Sequence, residues 1–221
     1  MAATPARTKS PMPDLSLEQA CTGVVAGVDE AGRGPWAGPV VAAAVILPAD
    51  MPDALMTGLD DSKKLSAARR EMLLEELYRC ADIGIGAASV AEIERDNILA
   101  ATYAAMRRAV GGLGAAPDIA LIDGNRLPPD LPCAGRTVVK GDSLSISIAA
   151  ASIVAKVTRD RIMAALAARY PAFGWERNAG YGTRQHRDGL AAAGITAHHR
   201  RTYAPIAKML SLAESGTPDI A

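Results

Sequence analysis

Two adjacent carboxylates, Asp29 and Glu30, follow a short apolar run and precede a glycine-rich stretch. The apolar residues 24–28 predict a buried strand. Neighbouring side chains of a regular strand point to opposite faces, so both carboxylates can reach one cluster only where the strand ends. The glycines that follow supply such an end. Burying two carboxylates is unfavourable without cations or donors, and the pair alone is also consistent with a solvated turn.

Two further carboxylates end predicted strands. Asp123 follows the apolar residues 119–122, and Asp142 follows residues 137–140 and precedes a long helical pattern. Each has a simpler explanation, since Asp before Gly is common in turns and Asp142 can cap the next helix. Four carboxylates at strand ends of one sheet nevertheless suit Mg²⁺ or Mn²⁺. Two such ions, roughly 3.5–4 Å apart, activate water and stabilise the leaving oxygen of a phosphodiester.

Sequence motifs of other chemistries are missing. The chain has no Gly-x-Ser-x-Gly, His-Glu-x-x-His, Gly-Lys-Ser/Thr or Cys-x-x-Cys motif, and its histidines all follow residue 185. Residues 32–37 formally fit the dinucleotide pattern Gly-x-Gly-x-x-Gly/Ala, but that pattern must open a helix. The β-branched residues 40–47 predict a strand instead. A metal-dependent nuclease built on carboxylates is the favoured interpretation.

Composition narrows the class of protein. With 49% apolar residues a substantial core can form, and the formal net charge of zero disfavours binding to nucleic acid by bulk electrostatics. Residues 169–208 are locally basic, which indicates either a binding face or a solvated surface. The three cysteines have no metal-like spacing and indicate a reduced, intracellular protein. We expect a cytoplasmic protein without membrane contact, because no apolar run could span a bilayer and the N-terminal residues lack the apolar core of a signal peptide. We expect a monomer, because no exposed apolar stripe or heptad pattern is evident.

The order of elements predicts an α/β domain with a mixed sheet. The short link between the first two strands favours antiparallel pairing, and later strands alternate with helices. Strands are predicted at residues 24–28, 40–47, 82–88, 118–122 and 137–140, and helices at 67–80, 89–110 and 144–170. Residues 1–22 are predicted to be a flexible tail, 23–170 the catalytic domain, and 171–221 a part with one or two shorter helices that contributes substrate contacts.

Eight segments resemble motifs of the bacterial ribonuclease HII family and occur in the family's order. They are GVDEAGRG (27–34), GPVVAA (38–43), DSKKL (61–65), IDGN (122–125), KGDS (140–143), AASIVAKVTRD (150–160), GYGT (180–183) and HHRR (198–201). The resemblance implies an RNase H-like fold, with a mixed five-stranded sheet flanked by helices and a helical C-terminal part. It also implies cleavage of the RNA strand of RNA–DNA hybrids and incision at ribonucleotides embedded in duplex DNA.

The resemblance also assigns site residues. Asp29, Glu30, Asp123 and Asp142 match the catalytic carboxylates that bind divalent Mn²⁺ or Mg²⁺, with the scissile phosphate as a further ligand. The glycine–arginine–glycine turn matches the reader of the ribose 2′-OH, since glycines allow close backbone approach. The tyrosine matches the residue that packs on the deoxyribose at the junction, and the lysines fit phosphate contacts. The substrate-binding residues are thus Gly32, Arg33, Gly34, Lys63, Lys64 and Tyr181.

The chain departs from the family pattern at two places. Ala179 stands where the family often has lysine, and Arg177 or Arg184 is a candidate replacement for that cation. Thr202-Tyr203 stands where the family has Ser-Phe. Two alternatives remain open: another RNase H-like metal nuclease, such as an exonuclease or junction resolvase, and a non-catalytic nucleic-acid-binding module that keeps the fold.

Overall fold

The computed structural model describes residues 12–215, which are built around a mixed five-stranded sheet. The strands are β1 (Val25–Ala31), β2 (Val40–Ile46), β3 (Asp82–Ala88), β4 (Ile119–Asp123) and β5 (Ala134–Val138). Their order across the sheet is β3-β2-β1-β4-β5. Strand β2 pairs antiparallel with β1 and β3, whereas β4 pairs parallel with β1 and β5. The predicted mixed sheet and its antiparallel opening pair are therefore confirmed.

Helices cover both faces of the sheet. They are α1 (Ser16–Gln19), α2 (Asp53–Met56), α3 (Ala67–Cys80), α4 (Val90–Gly111), α5 (Ile146–Arg169), α6 (Trp175–Asn178), α7 (Arg184–Ala193) and α8 (Ala204–Ser215). Along β2, Ala43 and Val45 pack towards α3 and α5, while Ala42 and Ala44 pack towards α4. This alternation is expected of a central strand buried on both faces. Within the described residues, no helix is long and apolar enough to cross a membrane.

Helix α5 approaches β1 closely because Gly27 faces it without a side chain. A Cβ at Gly27 would collide with the backbone of Ser147 and Ile148, in the first turn of α5. Glycine within a strand commonly marks such a close backbone approach. The contact brings the end of β1 next to the first half of α5, where the side chains are almost all buried.

Two strand boundaries differ from the predictions. Strand β1 runs to Ala31, so Asp29 and Glu30 lie within it and pair with Ala43 and Ala42 of β2. Strand β5 starts and ends earlier than the predicted residues 137–140, because pairing with β4 fixes its register rather than an apolar run. It is an edge strand of alternating exposure with Val138 as its buried residue. Asp142 consequently lies in a 3-10 turn, Gly141–Ser143, and not at a strand end.

The helix predicted over residues 89–110 has a kink. Asn97 adopts a positive φ of 69°, and its side-chain oxygen accepts hydrogen bonds from the backbone N–H groups of Leu99 and Ala100. The residue therefore caps the second half of α4 as an N-cap would. The predicted capping box of Ser89 and Glu92 is present. Between residues 171 and 215, the C-terminal part has three α-helices, α6, α7 and α8, where one or two were predicted.

From residue 12 onward, the segment predicted to be a flexible tail contacts the residues at the start of α5. Asp14 forms an isolated bridge with Ser145, just before α5. The Glu18 carboxylate accepts hydrogen bonds from the Ser145 and Ser147 hydroxyls. Short-range propensity does not reveal such contacts, because the partners are more than a hundred residues away. The earlier part of the predicted tail lies outside the described residues.

Candidate active site

Asp29, Glu30 and Asp123, three of the four predicted carboxylates, meet where β1 stops pairing with β4. The pairing of β1 with β4 ends at Val28 and Ile122, although β1 continues beside β2. Strand β4 ends one residue later, at Asp123. Asp29 and Glu30 thus lie at the carboxyl end of a parallel pair without being at the end of their own strand. This arrangement explains how a regular strand can deliver both side chains to one cleft.

Asp29 and Glu30 point to opposite faces of β1 and still line one cavity. Asp29 is only 4% exposed and lies on the α5 side near the Ser152 hydroxyl, whereas Glu30 lies on the α4 side. The cavity, of about 460 Å³, is bordered by both carboxylates and by Asp123. The cavity therefore collects carboxylates from both faces of β1.

Asp142 joins this group from the 3-10 turn before α5. The backbone N–H of Gly141 donates to Oδ1 of Asp123 at 2.7 Å, which fixes the turn against the end of β4. Asp142 itself is 8% exposed, and Lys63 Nζ lies 3.2 Å from its Oδ2. The structure therefore places all four predicted carboxylates close together. Three of them border the cavity, and Asp142 is linked to the cavity through Lys63.

The carboxylates repel one another. Burial raises the pKa of Asp29 well above its usual range, and the charges of Glu30 and Asp123 raise it further. Burial also raises the pKa of Glu30, against the lowering effect of Arg33. The pKa of Asp123 is raised by burial and by the charge of Asp142. The carboxylates therefore repel one another at close range, and a cationic ligand placed between them would relieve that repulsion.

Lys63 supplies part of the missing positive charge. Partial burial acts against its charged form, but the carboxylates of Asp61 and Asp142 outweigh that effect and raise the pKa of Lys63. Its Nζ lies 3.5 Å from Oδ1 of Asp61, so the ammonium bridges two acids. Lys64 does not line the cavity and instead forms an ion pair with Asp60 at 2.8 Å.

Within residues 12–215, no three His, Cys, Asp or Glu side chains converge closely enough to form a ready metal-binding group. The predicted four-carboxylate cluster is therefore a set of neighbouring acids and not a finished coordination sphere. Mutual repulsion keeps uncompensated carboxylates apart, and Lys63 occupies the space beside Asp142. The donor atoms are all hard oxygens, which is the set that Mg²⁺ and Mn²⁺ prefer. The residues fit divalent metals on this ground.

The glycine–arginine–glycine turn borders the same cavity. Gly32 adopts a positive φ of 99° and lies against the Arg159 side chain, which a Cβ would strike. Arg33 extends back to the carboxylates, with Nη1 at 3.3 Å from Oε1 of Glu30. The Tyr181 ring is 52% exposed and lies beside Gly34. The structure therefore brings the predicted ribose reader and the predicted sugar-packing tyrosine together at the carboxylates.

The two arginines named as candidates to replace the cation at Ala179 have partners of their own. Arg177 pairs with Gln185 and Glu176, and Arg184 pairs with Asp188, so both interact within their own helices or the next one. Neither lines the cavity. The cationic side chains that do line it are Arg33, Lys63, Arg70, Lys156 and Arg159.

Sequence reasoning missed a buried guanidinium. Arg159 is 1% exposed and donates to the carbonyls of Ala37, Pro39 and Ala179. Burial and the neighbouring charge of Arg200 lower its pKa to about 10, so it remains a cation at neutral pH. Its motif could be recognised in the sequence, but the backbone carbonyls that it binds are distant in sequence and belong to loops.

A histidine pair, also missed, supports the backbone of Tyr181. His186 Nδ1 lies 3.0 Å from the Tyr181 carbonyl, which can only accept, so Nδ1 carries the proton. His186 Nε2 must then accept from Trp175 Nε1 and from His199 Nε2. His199 Nδ1 in turn accepts from the backbone N–H of Thr196. Both histidines are buried and neutral, so they do not contribute to a basic surface.

Comparisons with known proteins identify the family and the fold of the chain. The sequence model of the family described as Ribonuclease HII matches residues 26–206. The ribonuclease HII of Rhodospirillum rubrum is 60% identical over 94% of this chain and 95% of that protein. The solved structure of ribonuclease H2 from Pyrococcus horikoshii OT3 superposes with a TM-score of 0.72 at 26% identity, covering 86% of this chain and 98% of that one. Bst-RNase HIII in complex with Mn²⁺ shares the fold, with a TM-score of 0.72 at 20% identity over 91% of this chain and 73% of that one. The predicted RNase H-like fold is confirmed.

Proposed function

The chain belongs to the ribonuclease HII family and is an RNase H type endonuclease acting on the RNA of RNA–DNA hybrids; we propose that it also incises at ribonucleotides embedded in duplex DNA, by two-metal-ion hydrolysis. The observation that carries this proposal is the ion pair of Arg33 and Glu30, with Nη1 and Oε1 3.3 Å apart. It joins the turn that would read the ribose to a carboxylate that would hold metal.

Asp29, Glu30, Asp123 and Asp142 are the proposed metal ligands and catalytic residues. Bound Mg²⁺ or Mn²⁺ would supply activation of a water molecule and stabilisation of the leaving oxygen. The raised pKa of Asp29, caused by burial and by its acidic neighbours, supports a cationic ligand there. The complex of the structurally similar Bst-RNase HIII with Mn²⁺ is consistent with this choice of metals.

The turn at residues 32–34 and Tyr181 are the proposed ribose-recognition elements. Glycines on both sides of Arg33 leave the backbone accessible to a sugar, and the 2′-OH distinguishes RNA from DNA at a given position. The exposed Tyr181 ring lies beside Gly34, where it can pack on the neighbouring sugar. A nuclease that acts only on DNA would gain nothing from a reader placed here.

Lys63 is the proposed phosphate contact next to the carboxylates. Its side chain is 75% exposed, so the ammonium can turn from Asp142 towards a phosphate of the bound strand. Lys64 is held by Asp60 and is the weaker candidate of the two. Lys156 and Arg177 both border a groove with Ala179, and of the two only Lys156, which is ion-paired with Asp160, also lines the carboxylate cavity; Lys156 is therefore a further candidate for the cation missing at Ala179.

One cleavage assay separates the proposal from its alternatives. The substrates are a duplex with a single embedded ribonucleotide and an all-DNA duplex of the same sequence, each with Mg²⁺, Mn²⁺ or EDTA. We expect metal-dependent incision at the ribonucleotide only. Equal cutting of both duplexes would indicate a nuclease that ignores the ribose, and no metal-dependent cutting by folded protein would indicate a binding module.

A further inference from the structure

A fully buried arginine, Arg200, binds the backbone of the Gly32-Arg33-Gly34 turn. Arg200 is 0% exposed, and its guanidinium donates to three carbonyls of one loop. Nη2 lies 2.6 Å from the Gly32 oxygen, Nη1 lies 2.9 Å from the Arg33 oxygen, and Nε and Nη2 lie 3.1 and 2.8 Å from the Gly38 oxygen. The planar fork of donors is suited to fixing several acceptors at once.

Tyr203 completes this contact. Its hydroxyl donates to the Arg33 carbonyl at 2.5 Å and accepts from Nη1 of Arg200 at 2.9 Å. The Arg200 guanidinium also lies 5.0 Å from the centre of the Tyr203 ring, within the range of a cation–π contact. The Arg33 carbonyl thus receives two donors, which occupy both of its lone pairs.

The Arg200 guanidinium has no carboxylate in contact with it. None of the salt bridges within residues 12–215 includes Arg200, and its neighbours are carbonyls and a phenol. Burying a cation without a counter-ion is unfavourable unless its hydrogen bonds are well formed. The loop carbonyls are therefore the partners that keep this side chain in place, and the side chain in turn restricts the loop.

Fixing these carbonyls also sets the direction of the neighbouring N–H groups. In a planar trans peptide the N–H points opposite to the C=O. The Gly32 carbonyl shares a peptide with the N–H of Arg33, and the Arg33 carbonyl shares one with the N–H of Gly34. With both carbonyls directed at Arg200, the two N–H groups point away from it, and Gly34 lies beside Tyr181 at the cavity.

We propose that Arg200 and Tyr203 are positioning residues that determine ribose selectivity, by fixing the two peptide planes of the Gly32-Arg33-Gly34 turn. The inference rests on the proposed function of that turn. Arg159 touches Gly32 but donates its hydrogen bonds to other carbonyls, among them those of Ala37 and Pro39, whereas Arg200 and Tyr203 donate to the carbonyls of Gly32 and Arg33. Tyr203 stands where the family pattern has phenylalanine, and its hydroxyl adds a contact that phenylalanine cannot make.

Tyr203→Phe tests the hydroxyl with little risk to folding, because the ring and its packing are kept. Arg200→Lys keeps the charge but replaces the planar fork with one ammonium. Tyr78→Phe is the matched control, since Tyr78 is 53% exposed on α3. Each variant cleaves a labelled duplex with one ribonucleotide in Mg²⁺, while an unlabelled all-DNA duplex of the same sequence competes.

The value of kcat/KM reports recognition of the ribonucleotide, and the inhibition constant of the competitor reports duplex binding in general. We expect Tyr203→Phe to lower kcat/KM about threefold to tenfold, the usual effect of one hydrogen bond, and Arg200→Lys to lower it by more. The inhibition constant of Tyr203→Phe should match that of Tyr78→Phe. Its melting temperature should be lower by only a few degrees, the effect of losing one intramolecular hydrogen bond, so that the variant is folded in the assay.

Two results would overturn the inference while leaving the proposed function intact: kcat/KM within twofold of the wild type for both variants, or an equal weakening of all-DNA binding. A change for Arg200→Lys alone would remove Tyr203 from the pair. A wild-type protein that cuts the all-DNA duplex as fast as the ribonucleotide duplex would overturn the proposed function itself, and this inference with it.

Discussion

Lys63 Nζ lies 3.2 Å from Oδ2 of Asp142, although the two residues are 79 positions apart in the chain. The lysine side chain is 75% exposed and the aspartate side chain 11%. An exposed cation thus compensates a buried carboxylate that is a proposed metal ligand. Moving the lysine away would leave the buried carboxylate without a cationic partner unless another cation took its place.

Replacing Lys63 should weaken substrate binding through the loss of one phosphate contact. For Lys63→Met we expect a higher KM with a nearly unchanged kcat. The slope of log K against log salt for duplex binding should fall in magnitude by about 0.9, the amount for one phosphate. Lys64→Met is the comparison, since Lys64 is held by Asp60, and it should change the slope less. An unchanged slope for Lys63→Met would contradict its phosphate contact.

Replacing Asp29 should abolish cleavage and stabilise the metal-free protein. Loss of a residue that supports a metal ligand reduces metal affinity or activity roughly 10–100-fold. Asp29 is itself a proposed ligand, so we expect Asp29→Asn to reduce activity by more than that. Asparagine also removes a buried charge that Glu30 and Asp123 repel. The melting temperature in EDTA should therefore rise, whereas the exposed control Asp188→Asn should change neither quantity. A lower melting temperature would show that Asp29 stabilises the fold.

Divalent metal should stabilise the wild-type protein and not Asp29→Asn. Metal binding removes the repulsion among Asp29, Glu30 and Asp123, and a ligand at a hundred times its Kd stabilises a fold by about 2.7 kcal/mol. Thermal melting with Mn²⁺ or Mg²⁺, before and after EDTA, measures the effect. An equal increase in melting temperature for both proteins would mean that the metal binds elsewhere.

Much of the fold could be predicted from local sequence patterns. The exceptions depend on contacts between residues that are far apart in the chain. The capping box at Ser89 and the antiparallel link between β1 and β2 are local signals, and both appear as predicted. The strand end expected at Asp29 is different. Strand β1 stops pairing with β4 after Val28 but continues beside β2. Where it loses that partner depends on the length of β4, which is almost a hundred residues away.

The site shows the same division. The carboxylates could be proposed from residue type and position, because the ends of neighbouring strands meet at one edge of a sheet. Lys63 and Lys64 are adjacent and alike in sequence, yet one reaches Asp142 and the other Asp60. The role of Arg200 depends on three carbonyls over 160 positions away, and backbone acceptors leave no mark on a sequence.

Acid should destabilise the protein through its buried histidines. Burial and the neighbouring His186 lower the pKa of His199 to about 4, and burial lowers the pKa of His186. In the unfolded chain both titrate near the model-peptide value of roughly 6.5. Between these values the unfolded state binds more protons, so stability is present above pH about 6.5 and is lost as the pH falls towards 4.

Urea unfolding at pH 7, 6 and 5 measures this dependence. We expect His199→Gln to be less stable at pH 7, because it loses part of the network around His186, and to have a flatter dependence on pH by up to one bound proton. A variant with the same slope as the wild type would show that other groups, and not His199, cause the acid sensitivity.

Removing the Glu18 carboxylate should destabilise the long helix that follows the Asp142 turn. Glu18 Oε1 accepts from the Ser145 and Ser147 hydroxyls, each at 2.6 Å, and from the Ser147 N–H at 2.9 Å. It therefore caps the N-terminus of α5, where a negative charge also interacts favourably with the helix dipole. Loss of such a cap typically lowers stability by about 0.5–2 kcal/mol.

We expect Glu18→Ala to lower the free energy of unfolding by that amount, and Gln19→Ala, an exposed neighbour on α1, to leave it within about 0.5 kcal/mol. Cleavage should fall less than for Asp29→Asn, because Glu18 acts on Asp142 only through the turn between them. Urea unfolding and the single-ribonucleotide assay, each applied to the wild type, Glu18→Ala and Gln19→Ala, give both quantities. If Glu18→Ala and Gln19→Ala were equally stable, the segment before β1 would merely cover α5 without capping it.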